Sequence, residues 1–233
     1  QEELNGRVIE RVEAWGKQFR FHFEGGRLLL VHLLMWGSWR TYRRGAEWDK
    51  DPKKARVVLR TDEHECVAFS APVVQVMDVH EVEESKWGGL GPDPLRDDWD
   101  EEEFRRRLQT KRDREIGEVI MDQRVIAGVG NMLRVEILWR CGIHPERKVR
   151  ELDDDEVSCL LDWTIELMRR WLNRRGRAKP WLKIYRKSKK PCPRCGTMVE
   201  FSRQGGRVTY HCPECQPRKG GRPPGRTQNL FLP

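Results

Sequence analysis

Cys192-Pro193-Arg194-Cys195 and Cys212-Pro213-Glu214-Cys215 are two Cys-x-x-Cys pairs separated by sixteen residues. Each pair is a turn that offers two soft thiolates, and two such turns supply the four corners of a tetrahedral zinc site. The stretch between them reads as a β-hairpin. Val199 and Phe201, and Val208 and Tyr210, are strand-like, and Arg203-Gln204-Gly205-Gly206 supplies the turn. Disulfides within the set are the competing reading. Cys66, Cys141 and Cys159 leave an odd total and stand in apolar contexts, as ordinary buried thiols would. Four thiolates leave no open position for water, so the expected metal is one structural zinc held by Cys192, Cys195, Cys212 and Cys215. With Arg203 and Arg207 near its tip, the clamped hairpin is suited to hold cations against a polyanion.

The 233 residues carry a net charge of +8, with 35% charged and 37% hydrophobic residues. Basic charge alone also suits ribosomal or merely soluble proteins. Here its distribution matters. Acidic residues crowd into Glu81–Glu84, Asp97–Glu103 and Glu151–Glu156, whereas the chain after Arg169 is dominated by Lys and Arg. Such asymmetry favours a phosphate-facing surface. No apolar run reaches membrane-spanning length, so no membrane partner is expected. Reduced cysteines without a targeting segment point to the cytoplasm, nucleoid-associated in a bacterium.

Upstream of the hairpin the chain changes character once. Residues 6 to about 79 read as β. Phe19-Arg20-Phe21-His22-Phe23 alternates into a Glu24-Gly25-Gly26 turn. Leu28 to Met35 is a nearly continuous apolar run, as in a strand buried on both faces. Arg56–Arg60 and Glu65–Phe69 form another hairpin. From Asp100 the pattern turns helical. Phe104 and Leu108 mark one helix, and Ile116 to Ile120 a second. A third begins after Gly128-Val129-Gly130-Asn131 and ends near Gly142. A fourth is capped by Asp153–Asp155. The expected class is therefore α+β and multidomain. An N-terminal antiparallel β-sandwich occupies 1–88, a helical domain 89–175, a linker with the zinc hairpin 176–217, and a polar, basic, disordered tail 218–233.

Three further features could carry function. Gly128-Val129-Gly130-Asn131 opens a helix, where exposed N–H groups and the helix dipole can bind an anion; alternatively Asn131 is only an N-cap. Lys17, after Trp15-Gly16, can reach a phosphate as a point charge, or be a solvated surface lysine. Leu34, Met35 and Trp36, before Gly37, are either core or a wedge that enters a duplex.

Four segments recur in order in one known family: Val12 to Lys17, His32 to Gly37, Asp122 to Trp139, and the four-cysteine hairpin. The chain thus resembles the formamidopyrimidine-DNA glycosylase/endonuclease VIII family, and leans to endonuclease VIII in Leu133-Arg134-Val135-Glu136-Ile137-Leu138-Trp139. The resemblance names the helical part a helix–two-turn–helix domain. It implies base-excision repair of damaged double-stranded DNA by a monomer. An oxidised base is flipped out, an N-terminal proline amine forms a Schiff base, and β,δ-elimination cuts the strand. It also implies that Lys17, Asn131 and Arg207 grip phosphates and that Leu34, Met35 and Trp36 form the intercalation loop. Endonuclease VIII has a polar residue where Leu34 stands. Gln1-Glu2-Glu3-Leu4 does not match the family's Pro-Glu start, so the catalytic segment is expected to be missing and residues 1–233 to be inactive in Schiff-base chemistry. The second account is an internal departure, a loss of residues near Asn173–Lys179, where the family has a longer lesion-recognition region. The alternatives are a damaged-DNA binding protein without catalysis and a basic zinc-ribbon protein that binds RNA.

Overall fold

A computed structural model describes residues 3–173 and 181–218. The tail beyond 218 and residues 174–179 of the internal departure lie outside the described residues. The chain divides into two compact units, Gln1–Gly89 and Leu90–Pro233.

The first unit is a two-sheet sandwich. One sheet orders its strands β1 (Ile9–Trp15), β2 (Gln18–Phe23), β3 (Arg27–His32) and, after a crossover, β7 (Val73–Asp78). The other places β6 (His64–Phe69) between β4 (Ser38–Arg43) and β5 (Ala55–Arg60). All neighbouring pairs are antiparallel. The apolar run of β3 is buried on both faces, as expected. Leu29 and Val31 join Phe21, Phe23 and Ala68 between the sheets, with Phe19 and Trp39 packed against them. Leu28 and Leu30 pack on the opposite face with Val82 of the short helix α1 (Glu81–Glu84). The strand ends earlier than the hydrophobic run suggests. It stops at His32, and Leu33 to Gly37 form a turn closed by Gly37 N–H donating to the Leu33 carbonyl at 2.9 Å.

The second unit contains α2 (Glu101–Gln109), α3 (Ile116–Val119), α4 (Asn131–Cys141) and α5 (Asp154–Asn173). Asp100 caps α2 by accepting from Glu103 N–H, and Gly142 ends α4 in the left-handed conformation, φ 70°. Phe104, Leu108, Ile116, Ile120, Ile137, Leu138, Leu160 and Leu161 belong to one core. Glu136 is buried on α4 and offers Oε1 to the backbone N–H groups of Lys183, Ile184 and Tyr185, each at 2.9 Å. A single carboxylate thus docks the chain that leads to the hairpin. The hairpin pairs β8 (Glu200–Gln204) with β9 (Arg207–His211) through Gly205 and Gly206, both with φ > 0 as a tight two-residue turn requires. Among the described residues, no helix is long and apolar enough to cross a membrane.

One expectation fails here. Cys141 and Cys159 are not separate buried thiols but a disulfide, with Cα atoms 5.8 Å apart, that joins the end of α4 to α5. They are 18 positions apart in sequence, and helix packing rather than local pattern brings them together. A cross-link closing a loop of that length stabilises by about 3 kcal/mol in chain-entropy terms. Reduction is expected to lower the melting temperature of the helical unit by several degrees, and Cys159→Ser to abolish the response. Identical melting of oxidised and reduced protein would contradict this.

Candidate nucleic-acid interface

The four hairpin cysteines converge, and their sulfur atoms all lie within 4.8 Å of one another. Cys195 Sγ is 3.4 Å from Cys212 Sγ and from Cys215 Sγ, and Cys192 Sγ is 3.9 Å from Cys215 Sγ. A tetrahedron with Zn–S bonds of about 2.3 Å has edges near 3.8 Å, so the donor set fits one zinc. Cys215 N–H points at Cys212 Sγ, 3.5 Å away. Without a cation, burial pushes the Cys212 thiol up to about 11 and raises Cys215 further; a dication reverses that preference by binding the thiolates. The site is structural, with every corner filled by sulfur. Trp139 of α4 joins Cys192 and Cys212 in a small apolar cluster, and the Arg194 guanidinium lies 4.4 Å from the centre of its ring.

In the first unit, two loops meet at one end of the four-stranded sheet. Gln18 pairs with His32, so the β1–β2 turn bearing Lys17 and the turn after β3 are neighbours. Gly16 takes φ 59° in the Lys17 turn. Leu34 N–H donates to His32 Nδ1 at 3.0 Å, which leaves the ring's Nε2 as its N–H donor. Burial first, and the Lys17 charge second, lower the pKa of His32. Leu34, Met35 and Trp36 are 57%, 78% and 80% exposed. They are not core. The turn is built to hold them outward. A Cβ on Gly37 would come within 2.7 Å of the Leu33 carbonyl oxygen, and Leu34 itself sits at φ 47°.

In the second unit, the structure brings Asn131 to the hairpin that bears Arg207. The N-cap of α4 is Gly130, not Asn131, and it makes no side-chain cap. Asn131 instead turns its side chain sideways. Its Nδ2 donates to the Val208 carbonyl at 2.9 Å, and its Oδ1 accepts from Arg134 Nη2. Gly128 takes φ 94°, and its N–H donates to Gln123 Oε1 at 3.0 Å, so Gln123 shapes the turn into α4. Arg207 is exposed at the start of β9, opposite buried Gln204.

Three residues of these surroundings escaped the sequence reading: His32, Arg134 and Gln204. His32 closes an apolar run and carried no separate signal. Arg134 interrupts an apolar helix, but its partners lie up to seventy positions away. Gln204 looked like a turn residue. In the fold its Nε2 donates to the Pro145 carbonyl at 2.9 Å, and a Cβ on Gly117 would meet its Oε1 at 2.2 Å.

Comparison with known proteins agrees with this architecture. Residues 1–72 match the formamidopyrimidine-DNA glycosylase N-terminal domain, residues 90–179 the formamidopyrimidine-DNA glycosylase H2TH domain, and residues 189–218 the zinc finger found in FPG and IleRS. The chain is 35% identical to the probable endonuclease 8 2 of Streptomyces coelicolor, over 97% of this chain and 85% of that protein. It is 34% identical to endonuclease 8 1 of Mycobacterium tuberculosis, over 91% and 85%. Among solved structures it is similar to the Lactococcus lactis formamidopyrimidine-DNA glycosylase bound to DNA containing an AP site. That match has a TM-score of 0.76 and 26% identity, and it covers 93% of this chain and 84% of that one. A MutM complex with DNA containing carbocyclic 8-oxo-G gives a TM-score of 0.74 and 26% identity over 92% and 84%. The chain belongs to the formamidopyrimidine-DNA glycosylase/endonuclease VIII family.

Proposed function

We propose that this member of the family serves base-excision repair, gripping damaged double-stranded DNA as a monomer while an oxidised base is flipped out. The observation that carries the reading is the Leu33–Gly37 turn. Three large apolar side chains in a row stand in water beside Lys17 and His32. Such a group has little reason to be exposed unless something covers it. A base stack beside a phosphate would cover the apolar and cationic parts together. Extrusion of a base leaves a hole, and a wedge that fills it offsets the lost stacking. Lys17 and the Nε2 hydrogen of His32 would meet phosphates at that end of the sandwich. Asn131 and Arg207 would do so in the helical unit, where the uncapped N-terminus of α4 adds backbone donors. These contacts position the duplex and carry no sequence information. Zinc supports the hairpin and takes no part in the reaction.

The chemistry proposed for the whole protein is that of a bifunctional glycosylase and abasic-site lyase. An amine attacks C1′ of the flipped nucleotide, the base departs, and loss of protons from the sugar expels the flanking phosphates by β,δ-elimination. Nothing within Gln1–Pro233 matches the family's proline amine or its acidic partner. We therefore propose that this 233-residue polypeptide binds damaged DNA without forming the Schiff base. The second reading is a damaged-DNA binding protein without catalysis.

Borohydride trapping on a duplex with an abasic site separates the two. The polypeptide Gln1–Pro233 is compared with the product of its complete coding sequence. Covalent trapping by the complete product alone is the expected result. Trapping by neither leaves the damage-binding reading, and trapping by Gln1–Pro233 would refute its proposed inactivity.

A further inference from the structure

Both cysteine knuckles hang from one turn of the helical unit. Helix α4 ends at Cys141, and Gly142 follows in the left-handed conformation. On one side of Cys141, the Arg140 carbonyl accepts from Arg194 Nη2 at 3.3 Å, and Arg194 lies between Cys192 and Cys195. On the other side, the Ile143 carbonyl accepts from Gln216 Nε2 at 2.8 Å. Gln216 follows Cys215 and is fully buried, and its Oε1 accepts from Cys212 N–H at 3.0 Å. Trp139, two residues before Cys141, shares an apolar cluster with Cys192 and Cys212. The placement of all four zinc ligands therefore depends on how firmly residues 139–143 are held.

A covalent link holds that turn. Cys141 is joined to Cys159 of α5, and neither belongs to the zinc set. The two sulfurs differ in access. Cys141 is closed off from solvent, whereas Cys159 is partly exposed. A pair with one sulfur within reach of solvent and the other directly behind it is arranged for reversible oxidation: the outer sulfur reacts and the inner one resolves the product.

We infer that Cys141 and Cys159 are a reversible thiol-oxidation site whose disulfide latches the turn that carries the zinc knuckles. The oxidant is a hydroperoxide. The Cys159 thiolate attacks a peroxide oxygen, the O–O bond breaks, and the leaving oxygen takes up the proton that the thiol gave. The Cys141 sulfur then attacks the sulfenic acid, the S–S bond forms, and water departs. Two thiols and one hydroperoxide thus give one disulfide, one alcohol and one water, the alcohol being a second water when the oxidant is hydrogen peroxide. A dithiol reverses the step. One of its thiolates attacks Cys159 Sγ, Cys141 leaves and is protonated, and the second thiol of the reductant releases Cys159, so that the reductant ends as the disulfide. In the reduced protein, packing and hydrogen bonds alone hold residues 139–143, and the turn opens more often. Each opening loosens both knuckles and exposes the zinc to loss. The latch lies wholly within the helical unit and its zinc module and does not depend on the DNA reading. Together with that reading it means that oxidants which damage bases also tighten the module.

The test follows zinc. The full zinc-loaded chain is reduced with a phosphine, freed of it, and divided; one half receives stoichiometric hydrogen peroxide. Mass mapping of the cysteines and the rate of zinc transfer to a colorimetric chelator are measured on both halves. Peroxide is expected to join Cys141 to Cys159 before it touches the four zinc-bound cysteines. The oxidised half is expected to release zinc about tenfold more slowly, which asks the turn to transmit roughly half of the stabilisation that a cross-link of this loop length confers. A dithiol added in zinc-containing buffer should restore the faster rate. Cys159→Ser should release zinc at the reduced rate with or without peroxide. Equal release from the two halves would overturn the inference and leave the bridge a plain staple. Oxidation of the zinc-bound cysteines first, failure of the dithiol to reopen the folded protein, or slowing of Cys159→Ser by peroxide would each overturn it as well. If Cys159→Ser holds no zinc, the two parent samples decide alone. No DNA enters the experiment, so its failure is distinct from a failure to bind damaged duplex.

Discussion

Cys212→Ser is expected to release the zinc and to weaken DNA binding by at least about 100-fold, the cost of two charge-assisted phosphate contacts at roughly 1.5–3 kcal/mol each in the proposed reading. Cys212 is fully buried, and its sulfur is one of the four that lie within 4.8 Å of one another. The module it closes spans about the thirty residues 189–218. Its apolar support is small: Val199 and the two buried cysteines pack on Val135, Trp139 and Ile184, whereas Met198 and Phe201 remain exposed. So little core cannot order a hairpin, and ligation of structural zinc supplies about 10–16 kcal/mol in modules of this kind. When the hairpin is lost, Arg207 loses its place, and Asn131 loses the Val208 carbonyl that orients its amide. The helical core, built from α2 to α5, contains no hairpin residue, so far-UV circular dichroism should retain its helical signal. Exhaustive chelation should reproduce the variant. One full equivalent of zinc in Cys212→Ser would refute the ligand set, and unchanged affinity in the zinc-free protein would remove the hairpin from the interface.

The zinc hairpin was legible because its signals are local. Cys-x-x-Cys fixes a knuckle, Gly205-Gly206 fixes a turn, and the intervening alternation fixes the strands. The β3 run was legible for the same reason, and burial of Leu28 and Leu30 on one face and Leu29 and Val31 on the other accounts for its composition. Its end was not legible. Leu33 to Trp36 continue the hydrophobic pattern without a break, and only the turn geometry around Gly37 reveals that the chain has left the sheet. The Cys141–Cys159 link and the contacts of Arg134 and Gln204 were hidden by distance along the chain. A charged residue within an apolar helix signals that a partner exists without saying which one. Arg140 and Arg134 look alike in sequence, yet one meets a carboxylate on its own helix and the other meets three neutral oxygens.

Replacing the exposed triplet, as Leu34→Gly with Met35→Ala and Trp36→Ala, should remove discrimination while leaving the fold intact. The three side chains lie mostly in water, so their truncation creates no cavity. Glycine at position 34 also relieves the φ of 47° that leucine now adopts. Melting temperature should therefore hold or rise slightly. Affinity for undamaged duplex should change little, because in the proposed reading phosphate contacts from Lys17, Asn131 and Arg207 carry that binding. What disappears is the substitute for the extruded base. Stacking of a base on an aromatic side chain contributes about 1–3 kcal/mol, so the preference for abasic-site over undamaged duplex should fall by roughly 10- to 100-fold. A 2-aminopurine placed opposite the abasic site gives a direct view, since its fluorescence responds to what stacks on it; the change seen on binding should vanish with the triplet. An unaltered preference and an unaltered fluorescence change would show that Leu34, Met35 and Trp36 never enter the helix. The exposed turn would then have to face some other apolar partner.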